Sequence, residues 1–134
     1  MNLKRKIAVA VSVVVAIVVA LVLFIAYELG LLGSPFNDKK FVRSVWLASA
    51  HNDDARNPRG RMAEDLISNH LRIGMSKSDV RKLLGKSNNS EYDETQNTDC
   101  YFLGHWGFMS IDGDYLIIRY NNAYQIKSTE IYVH

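Results

Sequence analysis

Residues 61–85 read RMAEDLISNHLRIGMSKSDVRKLLG and contain two helix signals with a turn between them. In the first half, apolar residues recur at intervals of three and four positions, which places them on one face of a helix. These residues are Met62, Ala63, Leu66, Ile67 and Leu71. The pattern predicts an amphipathic helix whose apolar face packs against the rest of a domain.

A second helix follows directly. Gly74 is a typical end for the first helix. Ser76 is a typical N-cap, and Asp79 stands three residues later, the spacing of a capping box with Asp in place of the usual Glu. Gly85 predicts the end of the second helix, whose buried stripe would be Val80, Leu83 and Leu84. This helix lacks the exposed residues that read bases, so the pair does not predict DNA binding.

After a polar loop at residues 86–99, the pattern changes to strand-forming residues. The predicted strands span 100–103 with a continuation at 106–111, then 115–120, then 123–133. Asp112-Gly113 is a hairpin signal, and a bulge near Ser128-Thr129 would keep the apolar residues of the last strand on one face. The order predicts an α+β fold in two layers, with two helices packed on a three-stranded antiparallel meander. The predicted core between the layers includes Leu66, Val80, Leu83 and Ile117.

Residues 7–27, IAVAVSVVVAIVVALVLFIAY, form an almost unbroken apolar run. At a rise of about 1.5 Å per residue they give roughly 32 Å of helix, enough to cross a hydrocarbon core of about 30 Å. The cations Lys4, Arg5 and Lys6 precede the run and favour a cytoplasmic amino end. The sequence therefore predicts a cytoplasmic tail at 1–6 and a single transmembrane helix at 7–27 in the inner membrane, with the carboxyl-terminal domain outside.

A cleavable secretory signal is the main alternative, because it also begins with cations and an apolar core. Signal cores usually run about 7–15 residues and end at small residues. Here the run is longer, and cleavage after Ala26 or Gly33 would put Phe24 or Leu31 at a position that needs a small side chain. A lipoprotein signal needs a cysteine at the cut, and the single cysteine is Cys100. These features favour an uncleaved anchor.

The remaining chain is formally neutral. The chain has 16 Lys and Arg residues, of which 13 follow the anchor, and 14 Asp and Glu residues, of which 13 follow Glu28. A neutral domain with interspersed charges gives no electrostatic footprint for nucleic acid. One cysteine excludes an intrachain disulfide, so we expect Cys100 to be an inert thiol, with an intermolecular disulfide or a nucleophile as alternatives.

Residues 28–60 are predicted to be a juxtamembrane linker, and residues 61–134 the helix-helix-meander domain. Within the linker, apolar spacing at 36–50 suggests a short amphipathic helix containing Phe41 and Trp46. Its aromatic residues could lie on the membrane surface or cap the domain core, and we favour the core.

Residues 61–66, 71–80 and 83–85 together resemble the paired-helix signature of a superfamily of small envelope proteins. The superfamily includes the SmpA/OmlA-type lipoproteins that assist β-barrel assembly, and the β-lactamase inhibitor proteins share its fold. The resemblance extends to the strands at 101–104 and 115–120 and covers about residues 61–133. It implies a binding module that acts by contact and not by chemistry. Here a membrane helix stands where the assembly lipoproteins carry a lipid-bearing cysteine.

Histidines are the obvious candidates for chemistry. His51 with Asp53 and Asp54 could be a metal cluster, but a polar loop of this composition is more often a solvated turn. His70 reads as a boundary residue of the first helix, and the fourth histidine is His134. No nucleophile elbow, phosphate-binding glycine loop or zinc-protease motif occurs. The sequence therefore predicts no catalytic residue, no metal and no cofactor.

Contact residues are predicted on the exposed face of the meander. Tyr101, His105 and Trp106 are the candidates, because Gly104 and Gly107 flank a His-Trp pair and aromatic residues are strong anchors. The alternative is that Trp106 fills the core edge.

The predicted function is a non-enzymatic, membrane-anchored binding module with a protein partner in the envelope. The alternative is an inhibitor or immunity-type protein that blocks an enzyme at the outer face of the membrane. Neither nucleic acid nor a small-molecule substrate is inferred.

Overall fold

The computed structural model describes residues 2–28, 34–53, 55–88, 97–106 and 112–133, with Glu28 described by its backbone alone. Two compact units divide the chain, and the boundary follows Gly33.

The first unit contains one helix, α1, at Leu3–Glu28. Residues 3–27 are long and apolar enough to cross a membrane, by length and composition, and none of the most apolar window is buried by the protein. The helix begins four residues before the predicted apolar run, because Lys and Arg are good helix formers and continue it. The hydroxyl of Ser12 is satisfied internally, since Ser12 Oγ donates to the Ala8 carbonyl at 2.9 Å.

The second unit confirms the α+β prediction. A 3-10 turn at Pro35–Asn37 leads to three helices, α2 at Arg43–Ala48, α3 at Pro58–Asn69 and α4 at Lys77–Leu84. The strands are β1 at Thr98–Gly104, β2 at Asp114–Tyr120 and β3 at Ile126–Tyr132. They form one antiparallel sheet in the order β1-β2-β3. Residues 107–111, which include the predicted continuation of the first strand, lie outside the described residues.

The local signals of the second helix act as predicted, whereas the first helix ends at Asn69 and not at Gly74. The backbone N–H of Asp79 donates to Ser76 Oγ at 3.1 Å, and Ser76 Oγ donates to Asp79 Oδ2 at 2.8 Å. Gly85 ends α4 with φ +79°, a region that favours glycine. The first helix starts earlier than predicted, at Pro58, because Asn57 Oδ1 caps it by accepting from the Arg59 N–H at 2.9 Å.

The bulge in β3 is close to its predicted place. Arg119 pairs with Ser128 while Tyr120 pairs with Ile126, so Lys127 is the extra residue. The bulge was predicted one residue later, near Ser128-Thr129. Its effect is the expected one, since Ile126 is buried and Ile131 packs against the same core cluster.

The core lies between the helices and one face of the sheet. Leu66 and Val80 are fully buried in it, as predicted. Leu83 is only partly buried, and the adjacent Leu84 is the fully buried leucine of α4. The prediction for Ile117 was wrong in one respect. Although it is buried, it faces away from the helices, because its neighbours Leu116 and Ile118 point into the core cluster.

The domain begins at Ser34 and not at residue 61. Phe36 and Trp46, placed in the linker by the sequence, are core residues with 7% and 0% exposure. The Trp46 indole donates to the Leu84 carbonyl at 3.1 Å, which ties α2 to the end of α4. This confirms the core interpretation of Trp46 over a position on the membrane surface.

Candidate binding face of the sheet

Alternation along the strands gives the sheet two different faces. The inner face packs against the helices. The outer face consists of three cross-strand rows: Thr98, Arg119 and Ser128; Cys100, Ile117 and Glu130; Phe102, Tyr115 and Tyr132. The buried residues of the helices belong to the core cluster on the inner face. The middle of the outer face is itself buried, since Cys100 is 0% and Ile117 6% exposed. The part of this face that a second molecule can reach is therefore at its exposed residues, Arg119, Glu130 and Tyr132.

One row of the outer face is entirely aromatic. The rings of Phe102 and Tyr115 meet edge to face, with centroids 5.6 Å apart. His105 extends the row, because its ring lies 5.5 Å from that of Phe102. Tyr132, on the edge strand, is 37% exposed. Gly113 is required beneath this row, since a Cβ there would lie 2.3 Å from the Phe102 ring.

The other rows contain an exposed ion pair. Arg119 Nη2 lies 2.7 Å from Glu130 Oε1, and the two side chains are 46% and 45% exposed. The hydrogen bond raises the pKa of Arg119 and lowers the pKa of Glu130, so both groups stay charged. An aromatic row beside a charged pair offers a partner both contact area and directional polar groups.

Tyr101 is not part of this face. It is fully buried on the inner face, where its ring lies 5.9 Å from that of Trp46 and its hydroxyl donates to the Gly85 carbonyl at 3.0 Å. Burial raises the pKa of its phenol. The prediction of Tyr101 as a surface anchor therefore fails, because alternation turns the adjacent Phe102 outward in its place.

Trp106 lies at the edge of the core. It is partly buried and packs against the core cluster. Its indole N–H donates to the Leu103 carbonyl at 2.6 Å, and its backbone N–H donates to Asp114 Oδ2 at 2.7 Å. Gly60 of α3 makes room for the indole, since a Cβ at that position would lie 2.1 Å from Nε1. This geometry favours the core-edge interpretation.

His105 connects the outer face to the loop before α3. Its backbone N–H donates to the Ala55 carbonyl at 2.6 Å. Its Nδ1 is buried and has no hydrogen-bond partner among the residues that the structure describes. Of the three predicted contact residues, His105 is the one that lies against the aromatic row.

The loop that contains His51 and Asp53 was interpreted from the sequence as a solvated turn and not as a metal site. His51 and Asp53 are exposed loop residues, and both Asp54 and His134 lie outside the described residues. Within residues 2–28, 34–53, 55–88, 97–106 and 112–133, no group of three or more His, Cys, Asp and Glu side chains could hold a metal ion.

Four charged residues are buried in the part of the chain that the structure describes, Arg59, Asp65, Asp99 and Asp114, and the sequence predicted none of them as buried. Two of them, Asp99 and Arg59, contact aromatic side chains of the core. Asp99 is fully buried and accepts hydrogen bonds from Arg81 Nη2 and from the Tyr120 hydroxyl, both at 2.8 Å. The one available signal was the spacing along the strand. Asp99 and Tyr101 are two positions apart, so their side chains lie on the same face of the sheet.

The second is Arg59, which is 1% exposed. Its guanidinium lies 4.7 Å from the Trp46 ring centre and 5.9 Å from that of Tyr101, and Nε donates to the Trp46 carbonyl at 2.8 Å. Burial lowers the pKa of Arg59 to about 10. Both charges hold elements of the core together and face no open surface.

Comparison with protein-family models, with curated proteins and with solved structures gives no match for this chain. The resemblance of residues 61–133 to the SmpA/OmlA-type superfamily therefore stays a prediction, and function is argued from the outer face itself.

Proposed function

We propose that this chain is a membrane-anchored binding protein that acts by protein–protein contact through the outer face of its sheet. The observation that carries the proposal is the aromatic row Phe102, Tyr115 and Tyr132, which crosses all three strands on the face away from the helices. Aromatic residues dominate contact energetics because they supply a large rigid area with little loss of conformational entropy.

The ion pair of Arg119 and Glu130 adds specificity to this contact. Glu130 lies in the row next to the aromatic row and Arg119 in the row beyond it, and their nearly equal exposure lets a partner reach either charge. Exposed pairs of this kind contribute little to folding, with a median of about 0–1 kcal/mol. At an interface the same charges fix orientation and exclude mismatched partners.

The proposal also includes a membrane anchor, helix α1. Helix α1 would hold the domain in the inner membrane, with Lys4, Arg5 and Lys6 in the cytoplasm and residues 34–134 outside. A protease-protection assay on intact spheroplasts, with a carboxyl-terminal tag, tests the orientation. Digestion of the tag is expected. Protection of the tag would reverse the orientation, and a mature chain without the first thirty or so residues would replace the anchor with a cleaved signal.

The binding face is tested with two matched tyrosines. Tyr132 lies on the outer face at 37% exposure, and Tyr124 lies in the β2–β3 turn at 48% exposure. The full-length chain in detergent is used to capture partners, which are identified by mass spectrometry. Tyr132→Ala is expected to reduce recovery of the main partner about tenfold or more, the effect of losing a hot-spot residue. Tyr124→Ala should leave recovery within about twofold.

Equal recovery with both variants would exclude the outer face as the contact surface. The identity of the captured protein separates the two functional classes. Membrane complexes from unstressed cells support an envelope module, whereas one tightly bound soluble enzyme supports the inhibitor or immunity-type alternative.

A further inference from the structure

An open cleft of about 520 Å³ lies in the helix layer, between α2, the end of α3 and α4. Its apolar lining consists of Met75 and Leu83, which explains why Leu83 is only partly buried. The volume is within the range of about 300–1,000 Å³ that is typical of ligand sites. An inorganic ion would occupy a small part of this space, so the cleft suits a larger occupant.

The lining carries an excess of positive charge. Arg43, Arg72 and Lys82 line the cleft, with Asp79 as the single carboxylate. That carboxylate is already engaged, because it accepts from Ser76 Oγ at 2.8 Å and from Lys82 Nζ at 3.2 Å, and these bonds lower its pKa. The formal charges of the whole domain balance, so this cleft is a local region of positive charge.

The cations of the cleft differ in whether their side chains already make hydrogen bonds within the domain. Arg43 Nη2 donates to the Lys82 carbonyl at 2.8 Å, which positions that guanidinium at the mouth of the cleft. Arg72 is exposed, and among the described residues its guanidinium has neither a hydrogen bond nor an ion pair. Its donors are available to a ligand at no cost to the fold.

The wall of the cleft is held in place from behind. Asn69 Nδ2 donates to Asp65 Oδ1 at 2.9 Å, and His70 Nε2 lies 3.6 Å from Asp65 Oδ2. The His70 ring also lies 4.9 Å from the ring of Phe41. Because Asp65 is 5% exposed, these wall residues are fixed by a buried partner, and little ordering is needed on binding.

We propose that this cleft binds an acidic peptide segment of a protein partner. Carboxylates of the segment would pair with Arg43, Arg72 and Lys82, and an apolar side chain would rest on Met75 and Leu83. A peptide fits better than a flat anionic surface for two reasons. The cleft has apolar side chains, Met75 and Leu83, that a peptide side chain can cover, and its three cations lie on α2, on α4 and between α3 and α4, which suits carboxylates spaced along a chain. The cleft belongs to the helix layer, so this contact is separate from the outer face and does not depend on it.

The test uses the full-length chain in dodecyl maltoside and a fluorescein-labelled peptide, Leu-Glu-Glu-Leu-Glu-Glu, with its all-Gln analogue as control. Fluorescence anisotropy is expected to show binding of the acidic peptide that is at least about tenfold tighter than binding of the analogue, since one lost charged hydrogen bond is worth about tenfold. Raising NaCl from about 50 to 300 mM should weaken binding several-fold, because the charges are exposed.

A matched pair of charge-removing variants locates the site. Arg72→Gln should weaken peptide binding about tenfold, the effect of one charged contact. Lys39→Gln removes an exposed cation outside the cleft and should stay within about twofold of wild type. Neither change removes a side-chain hydrogen bond of the described structure, so both variants should keep the wild-type melting temperature.

Three results would overturn the proposal. The first is equal binding of the Glu and Gln peptides, and the second is wild-type affinity in Arg72→Gln. The third concerns lipid, for which dihexanoyl phosphatidylglycerol is the probe and dihexanoyl phosphatidylcholine its control. Binding of the anionic lipid that is lost in Arg72→Gln, without any binding of the peptide, would assign the cleft to a lipid headgroup.

Discussion

The two faces of the sheet each have an arginine–carboxylate pair, and the pairs differ in what surrounds them. On the inner side, Arg81 Nη2 lies 2.8 Å from Asp99 Oδ1, and the aspartate is fully buried. On the outer face, Arg119 Nη2 lies 2.7 Å from Glu130 Oε1, and the glutamate is 45% exposed. The distances are nearly equal, so distance does not distinguish a pair that holds the fold from a pair that is open to a partner.

Burial makes the difference. Taking a charge out of water is expensive, so the Asp99 carboxylate needs its partners inside the fold. It has Arg81 and the Tyr120 hydroxyl at hydrogen-bond distance, with Lys77 Nζ at 3.7 Å. The Glu130 carboxylate retains water and needs no partner to remain charged. The outer pair is therefore free to exchange its partner for another molecule.

The largest expected effect is from breaking the inner pair. Arg81→Ala leaves the fully buried Asp99 carboxylate with reduced compensation. Because the Arg81 side chain is itself 46% exposed and the Tyr120 hydroxyl still donates to Asp99, we expect the free energy of unfolding to fall by about 2–3 kcal/mol, less than for a fully buried pair. Arg119→Ala is the matched control and should lower it by less than about 1 kcal/mol. Urea unfolding of the full chain in detergent, followed by far-UV circular dichroism, gives both values. Similar losses in the two variants would show that the outer pair also holds the fold.

Trp106 tests the difference between core and surface positions at the edge of the core. Because the indole is partly buried and donates to the Leu103 carbonyl, Trp106→Ala should destabilise the domain by about 2–3 kcal/mol, below the usual range for a fully buried tryptophan. Tyr132→Ala on the outer face should change stability little. The same urea titration checks both. If Trp106→Ala kept wild-type stability and lost the captured partner, Trp106 would belong to the binding surface and the core-edge interpretation would be wrong.

Elements with local signals were predictable from the sequence. The cap at Ser76, the stop at Gly85 and the strand at 115–120 depend on residues within a few positions of one another, and the structure has them within a residue or two. The place of residues 34–57 in the domain was not predictable in this way. Burial of Trp46 depends on the carbonyl of Leu84, 38 residues away, and no local pattern contains that contact.

The contact residues show the same limit. Residues 100–103 read Cys-Tyr-Phe-Leu, and in a continuous apolar run alternation does not reveal which side faces the helices. Tyr101 and Phe102 were therefore equivalent until the sheet register placed them on opposite faces. The order of helices and strands predicts only that one face of the sheet packs against the helices.

The smallest of the expected effects on the free energy of unfolding is that of protonating a third carboxylate, Asp65, in acid. Hydrogen bonds from Lys40 Nζ and from the Phe41 backbone N–H, both at 2.8 Å, lower the pKa of Asp65 from 3.8 to about 2. A lowered pKa in the folded state means that the stabilisation is complete above pH about 3.8 and is lost as the pH falls through about 2. Solvent screening keeps the stabilisation from the Asp65–Lys40 pair small, because the Lys40 side chain is 86% exposed.

Asp65→Asn should therefore flatten the loss of stability between pH 4 and pH 2, with little change in that slope for Glu130→Gln, whose carboxylate is exposed on the outer face. Urea midpoints at several pH values across this range give the slopes, with Asn chosen because its oxygen can still accept from the Phe41 N–H. Asp65 also contacts Asn69 and His70 at the cleft. If the hydrogen bond from the Phe41 backbone N–H to residue 65 is enough to hold the wall of the cleft, Asp65→Asn should keep its affinity for the acidic peptide at pH 7. A steep acid limb that persists in Asp65→Asn would show that another carboxylate controls acid unfolding.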